Sequence, residues 1–324
     1  MAFQVRPDES VARGVRRVAR DQIDKALVGL NGRTHANLEE VVHDVRKRLK
    51  KVRAVIRLAR DGLGRKVAGR EDDRFRDAGH PLSEVRDAGI LVKTLEKLVE
   101  RRGDRHPLVV AIGAVREPIL RRKGRILRRV HDEGHVLAKL VENLEVARRD
   151  VKRWRIAGDD WDSLEGGLER IYRRGSRAFH EASESPTDEA LHEWRKRVKD
   201  LWYALDLLKP VRPGLTEPRA EEARRLADQL GEDHDLAVLR QVLTGSEGMP
   251  FGRDPVGAIL PLVEDRRVGL RREAFTLGTC VYAERPKAFV ARFRAYWRAW
   301  RAEAEAVAVE RPPRRLTGQG TEIT

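Results

Sequence analysis

Apolar residues recur along this chain with the 3.6-residue period of an amphipathic helix, and no stretch carries the two-residue alternation of a strand. Val11, Val15, Val18, Ile23 and Leu27 predict a first helix from about Glu9 to Leu30, with Ser10 as its cap and Asn31-Gly32 as its stop. Val45, Leu49, Val52 and Ile56 predict a second, from about Asn37 to Asp61, closed by Gly62-Leu63-Gly64. A third region covers about Glu71 to Arg102, interrupted at Gly79-His80-Pro81 and resumed with Ser83 as cap. A long helix then runs from Pro107 toward Trp154, with a kink expected at Pro118. After Gly158-Asp159-Asp160 the pattern restarts. Helices are expected over about Ser163–Ala182, from Thr187 to the Pro210/Pro213 pair, over about Glu217–Leu243 as a broken region, from Asp254-Pro255, and from Pro286 to about Val309.

The pattern contains a repeat. Val42-His43-Asp44-Val45-Arg46-Lys47-Arg48-Leu49-Lys50 returns as Leu191-His192-Glu193-Trp194-Arg195-Lys196-Arg197-Val198-Lys199, with the histidines 149 residues apart (192 − 43). On a helix, His43, Arg46, Lys47, Lys50 and Arg57 form a stripe beside the apolar face, and His192, Arg195, Lys196 and Lys199 form its counterpart. Like charges spaced this way repel and destabilise a free helix. A stripe built twice in register therefore points to an anion that it receives, rather than to a solvated face. Arg86-Asp87 and His234-Asp235 repeat at nearly the same offset, 148 residues between the acids (235 − 87). The expected fold is all-α, two tandem four-helix units over residues 1–157 and 158–309, with a polar, proline-containing tail over 310–324 expected to be disordered.

Composition agrees with a polyanionic partner. The net charge is +15, yet 52 acidic residues mean that many of the 67 Lys and Arg side chains must be paired. A hydrophobic fraction of 40% suffices for a core, and aromatics make up only 5%. The single cysteine, Cys280, excludes an intrachain disulfide and reads as a small buried hydrophobe. No apolar signal-peptide core opens the chain, and no run approaches the ~20 apolar residues of a membrane span, so a cytoplasmic location is expected.

These residues resemble the CHAD family, the conserved histidine α-helical domain. The likeness rests on His43-Asp44-Val45-Arg46-Lys47-Arg48, on His192-Glu193-Trp194-Arg195-Lys196-Arg197, on Arg86-Asp87 with His234-Asp235, and on Tyr172-Arg173-Arg174-Gly175. It implies two bundles related by a pseudo-two-fold, a basic groove or pore between them, and binding of inorganic polyphosphate with association to polyphosphate granules. His43, Arg46, Lys47, Lys50, His192, Arg195, Lys196 and Lys199 match the family's basic histidine helix. Arg53, Arg57, Arg17, Arg173, Arg174, Arg122, Arg125, Arg267 and Arg271 are expected to join the same anion path. The second copy departs from the first: Trp202 and Asp206 stand where the first has Arg53 and Arg57, which implies weaker binding there. The Glu-x-Glu-x-Lys triplet of the triphosphate-tunnel enzymes that accompany some relatives does not occur.

Arginine offers bidentate donors to phosphate oxygens, and lysine adds a mobile point charge. A phosphate beside His43 or His192 should raise its pKa, so that each adds charge below neutrality. A metal suits these histidines poorly, because cations crowd them. His131-Asp132-Glu133-Gly134-His135 places its Glu one position late for a zinc-protease motif. Neither a metal nor another cofactor is expected, and no enzymatic activity. Two competing readings remain: a nucleic-acid binder, for which the chain offers no helix-turn-helix, zinc finger or RNP motif, and a polyphosphate or triphosphate hydrolase, for which no carboxylate cluster gathers Mg²⁺. Specific nucleic-acid binding and membrane binding are not expected.

Overall fold

The computed structural model describes residues 3–34, 36–102, 106–158, 160–245 and 251–310; the tail over 311–324 lies outside them. The described residues form twelve α-helices and no strand. In chain order they are α1 (Val11–Asn31), α2 (Leu38–Leu58), α3 (Arg60–Leu63), α4 (Arg65–Gly79), α5 (Ser83–Arg102), α6 (His106–Glu133), α7 (His135–Val151), α8 (Asp162–Glu184), α9 (Asp188–Leu208), α10 (Pro213–Thr244), α11 (Arg253–Val281) and α12 (Pro286–Glu310), with a 3-10 turn at Lys209–Val211 between α9 and α10.

Local chemistry sets several of these ends. The Ser10 hydroxyl accepts from the Arg13 N–H at 3.3 Å and starts α1. Thr187 does the same for the Ala190 N–H at 3.1 Å and starts α9. The helix expected from Pro107 to Trp154 is instead two. Pro118 stays inside α6, and the break falls at Gly134, whose φ of 51° suits glycine better than any residue with a Cβ. His131 and His135 thus stand on different helices. The region expected to be broken after Glu217 is the continuous α10, with Pro213 in its first turn, where a missing N–H costs little, and Pro218 accommodated inside the helix. Cys280 is exposed, not buried.

Helix α1 packs along α2, and α8 packs along α9; α5 lies against α6, and α10 against both α9 and α11. Helices α2 and α9 meet at the centre of the molecule and run antiparallel. Lys51 Nζ contacts Asp206 at 3.2 Å, and Arg57 pairs with Asp200, so the register falls along one helix as it rises along the other. Asp206, expected to weaken the second copy, is therefore the partner of Lys51. Two apolar cores result. The larger joins the inner faces of α1, α2, α7, α8, α9 and α12; the smaller joins α5 and α6 to the second half of α10 and to α11. Both cores draw on residues from each side of position 158. The segment before α1 closes the larger core, with Phe3 and Val5 buried and the Val5 N–H bonded to the Leu207 carbonyl at 3.1 Å. Among the described residues, no helix is long and apolar enough to cross a membrane.

A tight helix approach lies where α8 crosses the end of α2. A Cβ at Gly167 would overlap the Leu58 backbone carbonyl, which cannot swing aside as a side-chain tip can. At Gly69, inside α4, a Cβ would meet nothing. Gly167→Ala should therefore lower stability by about 3 kcal/mol in thermal or denaturant unfolding. Gly69→Ala should raise it by roughly 0.5–1 kcal/mol through helix propensity. Similar small effects from both would show that α2 and α8 are not in contact at this point.

Candidate functional site

Burial of Val45, Leu49, Val52 and Ile56 fixes the rotation of α2, and burial of Trp194, Val198, Leu201 and Leu205 fixes that of α9. The neighbouring cationic stripes then turn into a cleft of about 630 Å³ between α2, α5, α9 and α10. Helix α2 contributes His43, Arg46, Lys47 and Lys50; α9 contributes Arg195 and Lys199; α5 contributes Arg86 and Lys97. Helix α10 supplies Asp228, Glu232 and Asp235, and Trp202 and Tyr203 complete the wall.

These seven Lys and Arg side chains face too little negative charge. Glu232 is held by Arg266 at 2.7 and 3.1 Å, and Asp228 by Arg224 at 3.0 Å. The Arg86 guanidinium donates to Asp87 at 2.7 Å and lies 3.9 Å from Asp235. Among the described residues, no carboxylate comes within ion-pair distance of Arg46, Lys47, Lys50, Lys97, Arg195 or Lys199. Arg46 is anchored instead by the Gly79 carbonyl and by Ser83 Oγ at 3.0 Å, and its Nε has no partner. Arg195 is only 8% exposed, lies against Gly231 of α10, and also leaves its Nε without a partner. A buried, uncompensated cation is costly.

Proton affinities register that cost. Burial, with Lys199, Arg86, Arg46 and Arg195 adding repulsion, pushes the Lys50 ammonium down to about 6. Burial and Arg195 bring Lys199 down to about 8. His43 is lowered by burial and then by Lys93, Lys47 and Lys50; His192 by burial and then by Lys196 and Arg195. The His192 and His234 Nδ1 atoms lie 3.2 Å apart, and burial with Arg195 depresses His234 to about 3. The expected upward shift of the two repeat histidines thus needs an anion beside them; the protein's own charges act in the opposite direction. Burial raises the Asp235 carboxyl, with Arg195 and Arg86 opposing.

The structure gathers His43, Arg46, Lys47, Lys50, Arg195 and Lys199 into the cleft and sends the other expected residues elsewhere. His192 packs behind it against His234, and Lys196 is exposed and paired with Glu193. Arg53 forks onto Asp72 at 3.1 and 3.0 Å, and Arg57 bonds Asp72 and Asp200. Arg17 donates to Glu9 at 2.8 Å and to the Gln4 carbonyl at 2.8 Å. Arg173 is exposed and pairs with Glu169 at 3.0 Å, while Arg174 lines a separate small pocket. Arg122 and Arg125, on α6, do not line the cleft. Arg267, 1% exposed, bonds Asp233 at 3.0 Å and also Asp188; Arg271 bonds Asp233 at 3.1 Å and Asp188 at 2.8 Å. That network ties the first turn of α9 to α10 and α11, so both arginines hold the scaffold. For Arg17, Arg53, Arg57, Arg267 and Arg271 the physical cause is the same: spacing along a helix reveals a cationic stripe, but not the carboxylate that another segment brings to it.

Two cleft residues escaped the sequence reading. Arg86 enters it only within the repeated Arg86-Asp87 pair, and Lys97 does not enter it. The signal was present, since Arg86, Ile90, Thr94 and Lys97 keep one helix face and all line the cleft. Among the described residues, no group of three or more His, Cys, Asp or Glu side chains is placed to hold a metal ion.

The depressed lysines make the stability of the free protein depend on pH. An unfolded chain holds the Lys50 proton up to about 10.5, the folded chain only up to about 6, so the unfolded state binds more protons between these values and stability rises with pH. Lys199 adds to the same slope above about 8. Unfolding free energy followed from pH 6 to 9 should therefore increase, and Lys50→Met should flatten the rise and stabilise the protein at pH 7. A Lys50→Met protein that keeps the wild-type slope, or is less stable at pH 7, would show that Lys50 is not strained by its surroundings.

No curated protein matches the chain. The family model of the CHAD domain matches residues 17–244, from α1 to the end of α10, and this span contains all four helices that build the cleft. The repeated histidine helices, the basic cleft between them and this match over more than half the sequence lead to one assignment: the chain belongs to the CHAD domain family.

Proposed function

We propose that the protein binds inorganic polyphosphate in the cleft between α2, α5, α9 and α10, without catalysing a reaction on it. The observation that carries this reading is the set of unpaired, partly buried cations that converge there. A chain of phosphates supplies one negative charge per unit and a dense row of acceptors, which matches a lining of Arg and Lys with little else to recognise. Membership of the CHAD domain family is consistent with this ligand. Release of counterions from the polymer would drive the association and make it weaken with salt, as for DNA. On this reading His43 and Lys47, exposed at the mouth, meet the chain first, and Lys50, Arg195 and Lys199 hold it inside. Association with polyphosphate granules in the cytoplasm would follow from the binding itself.

The fold proposed alongside is a duplicated one, two tandem bundles about a pseudo-two-fold. Its support is the exchange of ion pairs at the α2–α9 crossing. The 149-residue offset carries Lys51 to Asp200 and Asp206 back to Arg57 (200 − 51 and 206 − 57), so it converts the Lys51–Asp206 pair into the Arg57–Asp200 pair. A two-fold relation requires this exchange. It also places Lys50 and Lys199, again 149 apart, as equivalent residues of one cleft.

Nucleic acid suits the cleft less well: its wall offers few aromatic faces for stacked bases. Duplex DNA at equal phosphate concentration should therefore fail to displace bound polyphosphate. A hydrolase would release phosphate steadily from polyphosphate with Mg²⁺; none is expected.

The sharpest test separates binding from stability. Lys50→Met with Lys199→Met removes two ammonium groups whose protonated forms strain the free protein and hold the ligand. The double variant should unfold at the same or a higher temperature, yet bind polyphosphate about a hundredfold more weakly, from two lost charge-assisted contacts. Arg173→Gln with Arg177→Gln, which removes equal charge from exposed positions on α8, should change affinity by less than about threefold. Equal losses from both variants would mean that bulk charge alone attracts the polymer and would overturn the site.

A further inference from the structure

On the far side of the α2–α9 crossing lies a second, smaller pocket. Its lining is Arg57, Arg60, Arg170, Arg174 and Arg197 around the carboxylate of Asp200, with Ile171 as the apolar member. Arg57 and Arg197 share Asp200, and Arg170 bonds Asp61 at 2.8 Å. Among the described residues, no carboxylate lies within ion-pair distance of Arg60 or Arg174. Burial and the neighbouring cations Arg197, Arg60, Arg170 and Arg57 lower the proton affinity of Arg174.

The other half of the molecule shows what such a place requires. Helix α1 carries Arg16, Arg17 and Arg20, and α8 carries Arg173, Arg174 and Arg177 in the same local spacing, 157 residues apart (174 − 17), so Arg17 is a comparable arginine rather than the equivalent of Arg174 under the 149-residue offset. Each helix packs along its own histidine helix. The 149-residue offset relates the Lys51–Asp206 pair to the Asp200–Arg57 pair, and the latter lines the pocket with Arg174. At the first place the segment before α1 folds over Lys51 and Arg17: Phe3 lies on Lys51 with the ammonium 4.2 Å from the ring centroid, the Gln4 carbonyl accepts from Arg17, and the buried Glu9 carboxylate neutralises Arg17. At the second place the chain leading into α8 goes elsewhere, with the Ala157 N–H on the Gly62 carbonyl, and no described residue brings a carboxylate to Arg174 or Arg60.

We propose that this pocket is a second anion site, separate from the cleft, in which a phosphate group takes the place that the Glu9 carboxylate fills on Arg17. A tetrahedral phosphate with two negative charges suits it better than a single carboxylate. Two arginines, not one, are left without a partner, and three more stand around them. The phosphate group can be free orthophosphate or the end of a short polyphosphate. The proposal does not depend on what fills the cleft.

The test uses the Lys50→Met/Lys199→Met protein, in which the cleft is weakened, and compares it with the same protein carrying Arg60→Gln and Arg174→Gln. Both added substitutions remove repelling charges, so unfolding temperature should hold or rise. Orthophosphate and tripolyphosphate are titrated separately by calorimetry at fixed ionic strength. Tenfold or greater weakening of orthophosphate binding on loss of Arg60 and Arg174 would support a site for the free ion. The same weakening for tripolyphosphate alone would support a site for a chain end. Unchanged binding of both, or no binding of either before the arginines are removed, would overturn the proposal. Exchange of Arg173 and Arg177 for Gln should leave both titrations unchanged; an equal effect would overturn it as well.

Discussion

Two ion pairs across the antiparallel crossing of α2 and α9, Lys51 with Asp206 and Arg57 with Asp200, hold the arrangement on which the rest depends. They lock the register of the two histidine helices at their centre. Once that register is set, Lys50 and Lys199 must both line one cleft, whatever the repulsion between them. The crossing also separates the basic residues into two sets. Those that face carboxylates of neighbouring helices, Arg53 on Asp72 of α4 and Arg57 on Asp72 and Asp200, hold the helices in place. Those on the other face, Arg46, Lys50, Arg195 and Lys199, meet no carboxylate among the described residues. The asymmetry between the repeats follows directly. Asp200 and Asp206 in the second copy are the charges that Lys51 and Arg57 in the first copy need.

The cleft is an unfavourable arrangement that the apolar cores support. Burial of the Val45 to Ile56 and Trp194 to Leu205 faces forces the cationic stripes inward, where lysine holds its proton weakly. Carboxylates from α10 are close enough to moderate the field, but two of the three are held by other arginines. The outer network of Arg267 and Arg271 with Asp188 and Asp233 fixes the start of α9 from behind. The second half thereby resists the same repulsion by a different means from the first, where Arg46 is anchored on Gly79 and Ser83.

Much of this was legible in the sequence. The helical period, the Ser10 and Thr187 caps and the duplicated histidine stripe are local properties, and local spacing reveals them. The inner stripe residues from His43 to Lys50, with Arg195 and Lys199, were recognisable because the buried face beside them fixes which way they point. What spacing could not reveal was pairing at a distance. Arg17, Arg53, Arg57, Arg267 and Arg271 look like ligands until Glu9, Asp72, Asp200, Asp188 and Asp233 arrive from other segments. Arg86 and Lys97 were overlooked for the converse reason: each is an ordinary surface cation on its own helix and becomes part of a site only when α5 lies opposite α9. Gly134 outranked Pro118 as a helix break because a positive φ redirects the chain, whereas the proline is absorbed within α6.

The central claim is that the cleft holds cations short of protons and of partners until a polyanion arrives. At pH 7.5 the free protein should carry Lys50 largely neutral, Lys199 partly so, and His43 and His192 neutral. A bound phosphate chain favours the charged form of each. Calorimetric titration with long-chain polyphosphate at pH 7.5, repeated in buffers of different ionisation enthalpy, measures this directly; so long a chain contributes few titrating ends. The account predicts an uptake of about one proton or more per binding event, reduced in Lys50→Met. Binding with no net proton uptake, or with release, would contradict it.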